Sequence, residues 1–251
     1  MDSPVFILST GRTGTQFFED YINQTSDGAV CRHEPWPSRR FKFLSNLYLN
    51  QKVSHRLVGR FYQRSRRKLF RTLGNRTYIE SSNFIFGCMP SLNEIYNDVR
   101  IIHIVRHPVS YVSSHLGKGF WRGHKRFFAK YVPYWLEILD VEDRSDPIQL
   151  LAARWNYVNR QIGSYEDSHP YLRIRFEDLF SGEAGVSSDR LNQIREFCGV
   201  PPLDRAENAL WLQHPKNVSR HKDALQPGEV AFILATCSEL MKEYQYTGQL
   251  P

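Results

Sequence analysis

The residues best suited to chemistry lie near the start of the chain. Ser9 to Phe18 read STGRTGTQFF, a loop of Gly, Thr and Arg between an apolar run, Val5 to Leu8, and an amphipathic segment. Such a loop suits an anion. Gly11 and Gly14 let the backbone curl so that successive N–H groups point inward, Thr13, Thr15 and Gln16 add side-chain donors, and Arg12 adds a fixed positive charge. It is not a Walker A loop: Thr15-Gln16 stands where GxxxxGK[ST] requires a lysine and a hydroxyl, so the magnesium ligand of an ATPase is missing. A plain glycine-rich strand-to-helix turn is the competing reading.

A second constellation follows further on. RIIHIVRHPVSYVSSHL is an apolar run that ends in Arg106, meets Pro108 at a helix start, and carries Ser110, Ser113 and Ser114 over the next two turns. An arginine at the carboxyl end of a strand, with hydroxyls on the helix after it, makes another anion cradle. Two such sites on one sheet edge call for a ligand with two separated anionic groups.

These residues need a frame, and the pattern supplies one. Short strand candidates (Val5 to Leu8, Ala29 to Arg32, Thr77 to Ser81, Arg100 to Val105, Tyr171 to Phe176) alternate with longer helical segments. Helices are predicted from Thr15 to about Asn23, through parts of 40 to 73, from Pro108 to about Leu116, Pro147 to about Tyr165, Ser188 to about Cys198, and Pro227 to about Tyr244. Pro108, Pro147 and Pro227 sit where helix-starting prolines are tolerated. The expectation is an α/β, P-loop-like three-layer fold with a mostly parallel central sheet flanked by helices. No repeat, low-complexity tract or linker divides the 251 residues, so a single domain over 1–251 is expected, with a helical, basic insertion at about 38–76.

Charge is regional. The net charge is +7, yet no acidic residue lies between Glu34 and Glu80 while twelve Lys and Arg do; without them the chain would be net acidic. Within HRLVGRFYQRSRRKLFRTLG, Leu57, Val58, Phe61, Leu69 and Leu73 recur at helical spacing with cations between them. The choices are a solvated basic face, an acidic acceptor or peripheral contact with a membrane surface. Cys31, Cys88, Cys198 and Cys237 form no CxxC pair, which argues against a zinc site or disulfide framework. No signal peptide pattern and no 18-residue apolar stretch occurs, so a cytoplasmic protein is expected.

Taken in order, the motifs resemble those of sulfotransferases that use 3′-phosphoadenosine 5′-phosphosulfate (PAPS). Arg12-Thr13-Gly14-Thr15 is similar to the family's [KR]-[ST]-G-[ST] loop, Arg106 and Ser114 to its Arg with a Ser eight positions later, and Arg175 to Leu179 to its R-[YF]-E-D-L strand end, a mainly structural signature. The resemblance implies PAPS as cosubstrate, with Gly11 to Gln16 on the 5′-phosphosulfate, Arg106 and Ser114 on the 3′-phosphate, and Phe17 stacked on adenine unless it faces the core. It also implies that SRHK, through Arg220 and Lys222 with Ser219 and His221 less engaged, closes over the nucleotide; a solvated basic loop is the rival.

A base is needed to take the acceptor proton. In branches of the family that act on sugars or protein tyrosines a Glu after the second strand does this, and Glu34 in AVCRHEPWP matches it, with His33 as rival base. A carboxyl facing a partly dry pocket has its pKa raised toward working pH, and imidazole already titrates near neutrality. Either residue could instead pair with nearby arginines. The steroid-type Lys-x-His after a middle strand is absent, Glu80, Ser82 and Asn83 standing there, and so is the steroid-type RKG loop; this favours the carbohydrate-like or tyrosylprotein-like side. The acceptor is then a small molecule or glycan, for which an anionic one suits the basic block, and no metal and no nucleic acid is expected; Trp36, Trp121 and Trp135 are candidates to stack on it. A P-loop kinase using Mg-ATP and a non-catalytic anion or nucleic-acid binder are the alternatives, and oligomeric state is not readable.

Overall fold

A computed structural model describes residues 3–117, 139, 141–180, 183–213 and 225–246. Five strands, β1 (Val5–Ser9), β2 (Ala29–His33), β3 (Thr77–Ser81), β4 (Arg100–Val105) and β5 (Tyr171–Arg175), form one sheet in the order β2-β3-β1-β4-β5, every neighbour parallel. The chain leaves β1 for β2, returns to lay β3 beside β1, and then adds β4 on the other flank. The carboxyl end of β1 is therefore the switch point of the sheet, where open α/β folds place ligands.

Among the described residues the helices are α1 (Phe17–Thr25), α2 (Ser38–Leu49), α3 (His55–Thr72), α4 (Met89–Asn93), α5 (Pro108–Leu116), α6 (Pro147–Gly163), α7 (Phe176–Phe180), α8 (Ala184–Phe197), α9 (Arg205–Leu212) and α10 (Pro227–Glu243), with a short 3-10 turn at Ile85–Cys88. They cover both faces of the sheet. Val5 and Ile7 pack with α1 and α8, whereas Phe6 and Leu8 pack with α2, α3, α4 and α6. The period-2 alternation of a strand thus sends each residue of β1 into a core, which is why the run is apolar throughout. A third cluster joins α5, α6 and α10.

Local signals explain the helix starts. Asp146 caps α6, its side chain accepting from the Ile148 N–H at 2.8 Å ahead of Pro147. Asp204 with Glu207, and Gln226 with Glu229, form reciprocal capping boxes at α9 and α10. Two differences from the expected elements stand out. The RFEDL segment does not extend the strand: β5 ends at Arg175 and Phe176 begins a helical turn. The basic stretch forms two helices, in keeping with the helices expected through parts of 40 to 73, whereas α9, which opens on a D-x-x-E capping box, is a helix beyond those expected. No described helix is long and apolar enough to cross a membrane.

Candidate active site

The loop after β1 adopts the backbone its glycines allow. Gly11 (φ 90°), Arg12 (φ 61°) and Gly14 (φ 67°) all lie in the left-handed region. A Cβ on Gly11 would stand 2.6 Å from the Asn83 side chain, and one on Gly14 would stand 3.1 Å from the Phe180 ring. Arg12 has no glycine's freedom, so this position stores strain of about 1–3 kcal/mol, a cost that tends to collect at functional sites. Ser9 organises the curl: its Oγ accepts from the Gly11 N–H at 3.1 Å and from the Thr13 hydroxyl at 2.7 Å. Thr13 is accordingly buried, and its hydroxyl donates within the loop. Thr15 is buried while Gln16 is exposed, and the Phe17 N–H returns to the Gly14 carbonyl at 2.9 Å, so the helix starts two residues after Thr15.

The second cradle closes onto the first. Arg106 Nη1 donates to the carbonyl of Arg12 at 2.5 Å, and Arg12 Nε donates to Ser114 Oγ at 3.0 Å. Arg106 is held from behind by the Trp155 indole N–H, which donates to its carbonyl at 2.8 Å, while the guanidinium lies 4.5 Å over the Phe176 ring. Burial lowers the Arg106 pKa, Glu177 opposes this, and the neighbouring Arg12 lowers it further. Its Nε is buried with no partner. Two crowded guanidinium groups and an orphaned donor at a sheet switch point are what an incoming anion would satisfy. Glu177 of the RFEDL motif is structural: its carboxylate accepts from the His107 N–H at 2.9 Å and the Tyr246 hydroxyl at 2.7 Å.

His33 and Glu34 stand at the end of β2 and are wired to the same loop. The Ser81 hydroxyl donates to the Thr15 carbonyl at 2.8 Å, so its oxygen can only accept from His33 Nδ1, 2.9 Å away. This fixes the proton on Nδ1 and leaves the lone pair on Nε2. Burial pushes the His33 pKa down, with Glu19 opposing. Glu34 has a left-handed backbone (φ 42°), its N–H donates to the Ser81 carbonyl at 2.9 Å, and burial pushes its carboxyl pKa up against the pull of Lys42. Among the described residues Arg32 pairs with Glu19, not with Glu34.

Four side chains behave in ways that spacing could not reveal. Phe17 is 6% exposed, stacked on Tyr21 at 5.1 Å and edge-on to Phe18, Phe180 and Trp211; the structure puts it in the core rather than on an open face, because helix α1 turns it beneath α7 and α9. Arg66, one of the twelve cations, is internal. It grips buried Glu80 with Nε at 2.9 Å and Nη2 at 2.7 Å, beside the Tyr62 and Tyr78 hydroxyls, and its Nη1 donates to the Trp36 carbonyl at 3.1 Å. Ser9 and Ser81, which set the loop and the imidazole, carry no motif of their own. Arg220, Lys222, Ser219, His221, Trp121 and Trp135 lie outside the described residues.

A parallel sheet with an anion loop at its switch point and a paired arginine beside it defines the P-loop-like nucleotide-binding class. The sequence model of the Sulfotransferase family matches residues 4–205, and the chain belongs to this family of sulfuryl-transferring enzymes. Solved structures with the same fold include sulfotransferase STF9 from Mycobacterium avium (13% identity over 98% of this chain and 78% of that one, TM-score 0.61). Mouse sulfotransferase SULT7A1 complexed with PAP superposes with TM-score 0.57 at 13% identity, covering 96% and 85%. The sulfotransferase domain from the curacin biosynthetic pathway gives TM-score 0.57 at 15% identity over 100% and 99%. No curated protein matches the chain by sequence.

Proposed function

We propose that this sulfotransferase takes its sulfuryl group from PAPS and delivers it in line to a hydroxyl of a carbohydrate or other small hydroxylated acceptor, with Glu34 as general base. The observation that supports this reading is the contact of Arg106 with the Arg12 carbonyl, which brings the two proposed anion-binding segments together. Arg12 and the N–H groups from Gly11 to Gln16 would face the 5′-phosphosulfate; Arg106 and Ser114 would face the 3′-phosphate, with Arg220 and Lys222 closing over it. The mouse relative complexed with PAP supports this choice of nucleotide.

The transferred group carries less charge than a terminal phosphoryl, so fixed cations and N–H dipoles suffice to balance charge growing on the bridging oxygen, and no divalent metal is invoked. Glu34 is the preferred base because its backbone is held in a strained conformation and its carboxyl is partly desolvated, both signs of a positioned, tuned group. His33, its Nε2 lone pair fixed by the Ser81 relay, is the second candidate.

Thermal unfolding tests the nucleotide half. Adenosine 3′,5′-bisphosphate with EDTA present should stabilise the fold by about 2.7 kcal/mol at a hundredfold excess over its Kd, and Mg-ATP should not. Stabilisation by Mg-ATP alone would install the kinase reading. Screening hydroxyl acceptors with radiolabelled PAPS in EDTA then identifies the substrate.

A further inference from the structure

The face made by α2 and α3 has no part in the cradle. On α3, Arg56, Arg60, Arg64, Arg67 and Arg71 are all exposed, and their spacing places them on one stripe about 22 Å long. None of them is ion-paired among the described residues, and no acidic residue lies between Glu34 and Glu80 to neutralise them. Beside this stripe runs an apolar groove lined by Arg40, Phe43, Leu44, Leu57 and Phe61. Phe43 is 58% exposed and Leu57 51%, and at its edge Trp36, 79% exposed, stands 5.9 Å under the Arg40 guanidinium.

Large apolar side chains in water next to unpaired cations are unusual on a solvated face. A solvated basic helix needs the cations but not Trp36, Phe43 and Leu57. Nucleic acid would also use the cations and leave the aliphatic groove empty. An anionic bilayer uses both: the ring and aliphatic tips enter the headgroup boundary while the arginines meet lipid phosphates.

We propose that the α2–α3 face docks this chain peripherally on an anionic phospholipid surface, with Trp36, Phe43 and Leu57 as the inserted groups and the α3 arginine stripe as the electrostatic contact. This stands independently of the nucleotide half of the sulfuryl-transfer reading, since none of these residues lies in the cradle.

Sedimentation with vesicles tests it. The full chain should bind phosphatidylcholine vesicles containing phosphatidylserine and leave vesicles of phosphatidylcholine alone in solution. The triple variant Arg60→Gln/Arg64→Gln/Arg67→Gln should bind about a hundredfold more weakly, roughly fivefold for each cation lost. Phe43→Ser/Leu57→Ser should weaken binding further at high salt, where only the apolar part survives. All altered side chains are exposed, so unchanged thermal midpoints confirm that each variant is folded. In the wild type, vesicles should shift tryptophan emission to the blue, and Trp36→Phe should remove the shift. Failure to bind anionic vesicles, or equal binding by the triple variant, overturns the proposal. So does preferential binding of a duplex oligonucleotide that Phe43→Ser/Leu57→Ser leaves intact, which would assign the face to nucleic acid.

Discussion

At the scale of single residues, the proposed cradle depends on fixed charge held at the half-buried end of β1 and β4. Arg106 is half-buried, bonded to the loop it supports, and left with a buried, unpartnered Nε. Arg106→Ala should raise the KM for PAPS about tenfold to a hundredfold, the loss of one or two charge-assisted hydrogen bonds, with a smaller effect on kcat; unchanged nucleotide affinity in initial-rate and calorimetric measurements would refute the assignment. Glu34→Gln should keep nucleotide binding and lower kcat by roughly two to four orders of magnitude. The same variant makes a stability prediction with a definite sign. The folded-state pKa of Glu34 is raised by burial, so its protonated form is the one that folding favours. That contribution is complete below the unfolded value and disappears as pH rises through the folded value. Thermal scans should therefore show Glu34→Gln gaining on the wild type at pH 8 and not at pH 4; the reverse order would show that the carboxylate is paired.

At the scale of elements, helix α3 is anchored by one buried pair. Arg66 holds Glu80 of β3 by two hydrogen bonds and reaches the carbonyl of Trp36 in the loop that carries Glu34. Removing one partner strands a charge in the core, so Arg66→Met should destabilise the fold by about 3–5 kcal/mol in urea titrations. The double variant Arg66→Met/Glu80→Gln should recover most of that loss, since the Tyr62 and Tyr78 hydroxyls still donate to the amide oxygen. Equal destabilisation by the single and double variants would show that shape rather than charge dominates there. The acceptor sites of Glu80 are filled by Arg66 and two tyrosines.

At the scale of the whole molecule, buried histidines set the acid limit. His103 accepts from the Tyr171 hydroxyl and donates to Asn159 inside the core, and burial lowers its pKa to about 3; His107, also buried, is lowered to about 4. Below the ordinary value near 6.5 the unfolded chain takes up protons that the folded chain refuses, so stability falls as pH falls, by about 1.4 kcal/mol per pH unit for each such histidine. Urea midpoints measured from pH 7 to 5 should drop accordingly, and His103→Gln should make the slope shallower; a flat profile would mean that these rings are not kept neutral. Much of the molecule was legible beforehand. The five strands and the order of motifs follow from apolar runs, prolines and glycines, because hydrophobic period and turn chemistry are local properties written along the chain. Gly11, Gly14, Arg106 and Ser114 could be nominated for the same reason. Which side chains face inward could not. Phe17 is covered by α7 and α9, the Thr13 hydroxyl donates to Ser9, and along the chain Arg66 cannot be told from the exposed arginines around it. The proton position on His33 and the joining of two cradles depend on residues tens of positions apart meeting across a sheet, and that is decided only when the strands take their order β2-β3-β1-β4-β5.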